Sequence, residues 1–366
     1  MLAAVFSEFG GPEVVRVEEV AVPEPGPGEV RLLVGAAAMN HLDLWVRRGL
    51  PIETTMPHIG GSDIAGVVDA LGEGVAGGGR FVREGARVVV NPSVSCGECE
   101  WCEKGEESLC ARYRIIGEHT QGGFAEYVVV PARNLYPIPD GYPMETAAAA
   151  PLVFLTAWRG LTTRGRLAAG ESVLITGASG GVATAAVQIA KHVGARVYAV
   201  STGEHEARLR SLGADVVYDR ERVDYSKEVW RDTGRRGVDV VFDSVGAATW
   251  TQNVRAAARG GRIVVYGATT GPTLETDARQ VFWKQLEILG TTMSNNAEFE
   301  QVMALVFSGV MEPVIDVVWP LDRIREAHRR LEGGEQFGRI VITAGTGSGR
   351  KRREKTAGED GGRRRE

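Results

Sequence analysis

SVLITGASGGVATAAVQIAKHVGARVYAV, residues 172–200, holds a whole structural unit in one line of sequence. Ser172–Thr176 is a short continuous apolar run, the pattern of a strand buried on both faces. A turn of small residues follows: Gly177, Ala178, Ser179, Gly180, Gly181, Val182 and Ala183. Residues 183–193 have helical spacing and stop at Gly194, which suits a helix C-terminus. Arg196–Val200 is a second buried strand. In such a unit the small residues let backbone N–H groups approach a pyrophosphate, which sits at the helix N-terminus. As a G-x-G-x-x-G match the turn is imperfect. Ala178 holds the first glycine position, and Ala183 holds the third, which the fingerprint permits. A tight turn without a ligand is the alternative; the strand–turn–helix–strand context favours dinucleotide binding.

The same theme continues downstream. Asp215–Tyr218, Val238–Phe242, Arg262–Tyr266 and Leu286–Leu289 read as strands, with helical stretches Glu204–Leu212 and Ser226–Asp232 between some of them. Strands alternating with helices predict a parallel, doubly wound α/β sheet over residues 151–310. Upstream the character differs. Val30–Val34, Gly66–Asp69, Arg87–Val90 and Glu126–Val130 are β-prone runs broken by Gly and Pro, which predicts a β-rich domain over residues 1–150, a distorted barrel. Residues 311–345 contain VIDVVWP, a helix-like DRIREAHRRLEGG and a last strand RIVIT, expected to rejoin the first domain. Residues 346–366 are Gly-rich, with eight basic and four acidic side chains. They are expected to form a disordered, solvated tail rather than a nucleic-acid-binding one.

Composition narrows the classes. The 366 residues carry a formal charge of -5, so no nucleic-acid partner is expected. No run of about 18 apolar residues predicts a membrane span. The stretch MLAAVFSEFGGPEVV does not read as a signal peptide. All four cysteines fall between Cys96 and Cys110, leaving none to staple the fold, which points to a reducing, cytoplasmic setting.

Those cysteines are spaced Cys96-x2-Cys99-x2-Cys102-x7-Cys110. Four thiolates in one loop can close a tetrahedral shell around a structural Zn2+, with no open position for chemistry. An iron–sulfur cluster and a redox pair are the alternatives. Lys104, Arg112 and Arg114 are at hand to offset the negative charge. The choice of coenzyme is read after the second strand, at Ser201, Thr202 and Gly203. No carboxylate ends that strand, and Arg208 and Arg210 are placed to meet a 2′-phosphate. This favours NADP over NAD, although Glu204 and Glu206 are near enough to reverse the preference.

The segments PEPGPGEV, NHLDLWVRRG, GSDIAGVV, the cysteine lobe, GGFAEYV, GASGGVA and GGRIVVYG occur in an order that resembles the medium-chain dehydrogenase/reductase superfamily, over residues 1 to about 345. The superfamily includes zinc alcohol dehydrogenases and zinc-independent quinone oxidoreductases. The resemblance implies a GroES-like catalytic domain (1–150 and 311–345, with a zinc lobe at 94–114) and a Rossmann coenzyme domain (151–310). Hydride would pass to a small-molecule substrate in the cleft between them, in a homodimer or homotetramer. It further implies that Thr156 flanks the nicotinamide and that Gly180, Gly181 and Val182 line the pyrophosphate. Ser201 and Thr202 would meet the adenosine ribose, and Ser244, Val245, Gly267 and Ala268 would edge the coenzyme. Arg339 matches a basic residue that reaches a phosphate, unless it is plain surface charge.

The active-site positions depart from the zinc alcohol dehydrogenases. Asn40 stands for their first zinc-binding Cys, Gly61-Ser62-Asp63 for Gly-His-Glu, and Leu152 for the third ligand. Leu42 replaces the hydroxyl that starts their proton relay. Asn, Ser and Leu make no tight zinc shell. Quinone oxidoreductases also carry Asn at the first position, and Asp43, Arg47 and Gly49 fit their pattern. The expectation is therefore hydride transfer without a catalytic zinc, to a quinone or an α,β-unsaturated carbonyl. Asn40 and Ser62 would donate to a developing enolate. His41, His119 or water would supply the proton, and Asp43 would act in the site or merely brace its loop. Two other readings stay open. Asp63 with two of His41, His58 and His119 would make a relocated metal site for an alcohol or aldehyde dehydrogenase. A non-enzymatic cofactor-binding protein is the third.

Overall fold

The computed structural model describes residues 1–75 and 82–344; the expected tail at 346–366 lies outside them. Six parallel strands form one sheet in the order Val216–Asp219, Arg196–Ser201, Ser172–Ile175, Val238–Asp243, Ala257–Val265, Glu287–Gly290. The chain starts in the middle, winds one way and then the other, so the order reverses between Ser172–Ile175 and Val238–Asp243. In such sheets ligands bind at that switch point, outside the carboxyl ends of the strands.

The helix Gly181–Val193 covers this sheet with its alanines. Ala183, Ala185, Ala186, Ile189 and Ala190 are all buried. Small side chains let the helix sit close to its neighbour, Pro151–Trp158. Gly194 ends it with φ +90°, a left-handed C-cap that glycine adopts without strain.

A second sheet runs Leu135–Pro137, Arg87–Val90, Asp63–Leu71, Glu29–Ala38, Arg339–Thr343, Ile315–Pro320, with Tyr127–Pro131 also on Glu29–Ala38. Its central strand is twice the length of the run Val30–Val34. Gly35 to Ala38 have little strand character of their own. They are held by tertiary packing: a β-carbon on Gly35 would lie 3.2 Å from Met144 Cγ. The last strand enters antiparallel to the first-domain strand, pairing Val341 with Ala38 and Ile342 with Ala37. A third sheet joins Arg16–Glu19, Leu2–Phe6 and His58–Ile59.

The two large sheets meet where Gly338 N–H donates to Ser179 O at 2.8 Å. Gly338 has φ +92°, and a β-carbon there would lie 2.3 Å from Val314 O, so only glycine fits. This contact carries Arg339 beneath the glycine turn.

Candidate active site

At the junction stand Asn40, Asp43, Asp63 and Arg339, all under 5% exposed. Asp43 braces two segments. Its carboxylate accepts from Asn40 N–H (2.7 Å) at the start of helix His41–Arg48 and from Gly61 N–H (2.9 Å) in the facing loop. Burial pushes its carboxyl up to about 6, against the pull of those two donors. Asp63 is engaged through both oxygens. Oδ1 accepts from Leu152 N–H (2.7 Å), and Oδ2 accepts from Asn40 Nδ2 (3.0 Å) and from Arg339 Nη2. Arg339 Nη1 donates to Asn40 Oδ1 at 2.7 Å. Burial raises the Asp63 carboxyl and Arg339 pulls it back. A guanidinium does not deprotonate in proteins, so a fixed cation sits between positions 40 and 63.

These contacts redirect two expectations. Asn40 does not offer a free amide to an enolate, because both ends of its side chain are committed to Asp63 and Arg339. Ser62 is 0% exposed, and its hydroxyl has no partner in the described structure. Arg339 is not surface charge: it is 4% exposed and packs under the turn, where a β-carbon on Gly181 would lie 2.7 Å from its Cδ. Its two Nη groups face Asn40 and Asp63, while Nε is buried without a partner.

The histidines do not gather around Asp63. His58 Nε2 lies 3.1 Å from Gly117 O, and its ring leans on Phe6. His119 Nδ1 accepts from Ile115 N–H at 3.2 Å. His41 is lowered by burial and by the charges of Arg339 and Arg48. Among the described residues, Cys96, Cys99, Cys102 and Cys110 are the one set of three or more Cys, His, Asp or Glu whose ligand atoms come together.

Those four sulfurs lie within 4.8 Å of one another, with pairs at 3.6 and 3.8 Å. Tetrahedral Zn–S bonds of about 2.3 Å put sulfurs ~3.8 Å apart, so the thiols fit zinc. Cys110 Sγ also accepts from the N–H groups of Cys96 and Arg112, both at 3.3 Å. Lys104 and Arg112 pair with Glu100 and Glu98. The lobe is anchored to the other domain. Asn295 Nδ2 donates to Gly105 O (2.9 Å), Asn296 Nδ2 donates to Glu107 (3.0 Å), and buried Arg159 bridges Glu106 and Glu298.

On the coenzyme face, the glycine turn sits at the sheet's switch point. A β-carbon on Gly180 would meet nothing nearer than Gly177 O at 3.4 Å, so the protein itself does not need glycine there. That open space is what a close-approaching pyrophosphate requires. Gly177 (φ +58°) packs on Val245, and Gly267 on Ser244, where its β-carbon would lie 3.0 Å from Ser244 Cβ. Val182 and Ala268 border the same strand ends, and Thr156 Oγ1 faces Met293 Sδ at 4.0 Å. Beyond Ser201, Thr202 is tied to Glu204. Arg210 is engaged with Glu206 (2.9 Å) and Asp215 O (3.0 Å), leaving Arg208, which stacks 3.9 Å over the Phe337 ring. The acidic neighbour is Asp219, whose carboxylate would lie 2.7 Å from a β-carbon on Gly203. Sequence spacing missed it, because it arrives from the adjacent strand.

One more residue escaped the sequence reading. Glu118 is 8% exposed, next to a glycine whose β-carbon would lie 2.7 Å from the Gly61 carbonyl carbon. Nothing in GEHTQGG distinguishes a buried carboxyl from a surface one.

Residues 26–140 match the alcohol dehydrogenase GroES-like domain, and residues 181–308 match the zinc-binding dehydrogenase family. A crystal structure of an NAD-dependent alcohol dehydrogenase is 45% identical, with a TM-score of 0.90 over 94% of this chain and 100% of that one. The acryloyl-coenzyme A reductase of Sulfurisphaera tokodaii is 31% identical over 89% of this chain and 96% of that protein. The human quinone oxidoreductase is 29% identical over 93% of this chain and 97% of that protein. No helix among the described residues is long and apolar enough to cross a membrane. The chain belongs to the medium-chain dehydrogenase/reductase superfamily and is an oxidoreductase with a GroES-like domain, a Rossmann coenzyme domain and a cysteine cluster able to hold a metal.

Proposed function

We propose that the protein reduces quinones or α,β-unsaturated carbonyls with a nicotinamide coenzyme and without a catalytic zinc. Residues 1–150 with 311–345 form the catalytic domain, and 151–310 the coenzyme domain. The observation that carries this reading is the engagement of Asp63 by Arg339, Asn40 and the Leu152 N–H. The three replaced ligand positions hold Asn40, Ser62 and Leu152, and the ligand-capable side chain beside them, Asp63, is already so engaged. A metal ion at Asp63 would also meet the repulsion of the Arg339 guanidinium already paired with it. Electron-poor acceptors need no Lewis acid; they need hydrogen-bond donors and a proton.

A bound reduced coenzyme supplies the hydride. The chain's own residues place it. Gly180, Gly181 and Val182 take the pyrophosphate, Ser201 and Thr202 the ribose, and Thr156, Ser244, Val245, Gly267 and Ala268 flank the rest. Arg339, with Asn40, Asp43 and Asp63, fixes the cleft floor. Arg208 favours NADPH over NADH. The four cysteines hold one structural zinc.

The relatives named for quinone and acryloyl-coenzyme A reduction agree with this chemistry. A second reading, alcohol oxidation with NAD, is favoured by the 45% identical alcohol dehydrogenase. A turnover screen separates them. NADPH and NADH are each tried with 2-cyclohexenone and 1,4-benzoquinone, and the oxidised coenzymes with primary and secondary alcohols. Enone or quinone reduction, faster with NADPH, is the expected result; turnover of alcohols alone would reverse the assignment.

A further inference from the structure

Helix Pro151–Trp158 is tied to the catalytic domain at both ends and touches the glycine turn between them. At its start the Leu152 N–H donates to Asp63 Oδ1 (2.7 Å). One residue on, Val153 lies against the turn, where a β-carbon on Gly181 would come 3.1 Å from its Cγ1. Thr156 Oγ1 faces Met293 Sδ at 4.0 Å. Met293 has φ +52°, a left-handed backbone that a side chain of that size seldom adopts.

Past Trp158 the chain widens into a π-helical turn, Arg159–Arg164. Such turns are rare and recur at functional sites. Its second residue, Gly160, lies so near Phe242 on the sheet that a β-carbon would come 2.5 Å from the ring, so the turn has no room to shift. Its first, Arg159, has a side chain only 4% exposed. Nη1 donates to Glu298 Oε2 (2.9 Å), and Nη2 donates to Glu106. Glu298 belongs to the capping box that starts helix Asn296–Phe307, and Thr163 also donates to it. Glu106 lies between Cys102 and Cys110 in the lobe. One buried guanidinium thus joins the metal lobe to the helix that borders the glycine turn. Withdrawing Glu106 would leave that buried charge half compensated, which is costly.

We infer that Arg159 is a positioning residue that couples the metal state of the cysteine lobe to coenzyme binding. This rests on the coenzyme placement proposed above, not on the choice of acceptor. With a metal on the four thiols, Glu106 is fixed. It holds Arg159, and with it the helix bearing Val153 and Thr156, in the position that receives coenzyme. Loss of the metal frees residues 96–110, Glu106 among them, and the helix loses that anchor. Such coupling is reciprocal, so bound coenzyme must tighten zinc binding by the factor by which zinc tightens coenzyme binding.

The test reads zinc affinity in chelator-buffered zinc, with and without saturating NADPH or NADH, whichever binds more tightly. In the wild type, coenzyme should strengthen zinc binding at least fivefold. Glu106→Ala cuts the lobe's half of the bridge. Its side chain is 36% exposed, so this variant should fold and keep its zinc, but the effect of coenzyme should drop below about twofold. Glu107→Ala, which removes the neighbouring tie to Asn296, should keep the wild-type coupling. Zinc affinity indifferent to coenzyme in the wild type, or equal coupling in Glu106→Ala and Glu107→Ala, would overturn the role of Arg159. A zinc-loaded protein that binds neither coenzyme would overturn the coenzyme placement as well. Turnover of alcohols alone would reverse the reductase reading and leave this coupling standing.

Discussion

Glu118 and Asp43 are buried carboxyls whose cost depends on pH. Glu118 is held up to about 7, well above the ordinary 4.5, chiefly by burial. Between those two values the unfolded chain has released this proton and the native chain keeps it. Native protein then binds more protons, so stability falls as pH rises through the window and levels off above 7. Glu118→Gln removes that cost. At pH 8 it should be more stable than wild type by up to about 3 kcal/mol, and near pH 4.5 the difference should vanish. Urea melts at the two pH values read this, and a difference equal at both would contradict it. At this scale the sequence showed which residue types stand at the replaced zinc positions. It did not show their partners, since Asp63 and Arg339 are 276 residues apart and no local pattern links them.

The glycine turn separates two functions at adjacent positions. Gly180 faces open space, whereas a side chain on Gly181 would strike Arg339 and Val153. Gly180→Val is therefore expected to raise the coenzyme Kd at least tenfold with little change in melting temperature. Gly181→Val should lower the melting temperature by several degrees. Equal effects in both variants, read by coenzyme titration and calorimetry, would mean the turn is placed wrongly. The cysteine lobe makes a different prediction. Through Gly105, Glu106 and Glu107 it holds the start of helix Asn296–Phe307. Cys99→Ser should release metal and lower the melting temperature; full metal content in that variant would exclude the site. The parallel strands and the glycine turn were legible because buried strands and tight turns leave local signatures. Helix Pro151–Trp158 was not, since it is buried on nearly every side and shows no polar face.

At the scale of the molecule, one edge of the coenzyme sheet carries exposed apolar side chains. Strand Glu287–Gly290 ends the coenzyme sheet, and beside it Phe282, Trp283 and Ile288 are 63%, 68% and 48% exposed. An apolar patch on an unpaired edge supports self-association as a homodimer or homotetramer. Ile288→Lys with Trp283→Glu should shift the mass seen by light scattering towards the single chain; an unchanged mass would place the interface elsewhere. The two-domain plan was legible from the order of the motifs. The way the last strand delivers Arg339 to both the turn and Asp63 was not, because it depends on where three distant segments meet. On that meeting point rests the proposal that hydride reaches its acceptor without a metal at the reacting oxygen. The most direct measurement is zinc stoichiometry joined to turnover. One zinc per chain, bound by the four cysteines, is expected, together with 2-cyclohexenone reduction that survives a mild chelator. Two zincs per chain, with the second held at Asp63 and its removal abolishing activity, would contradict it.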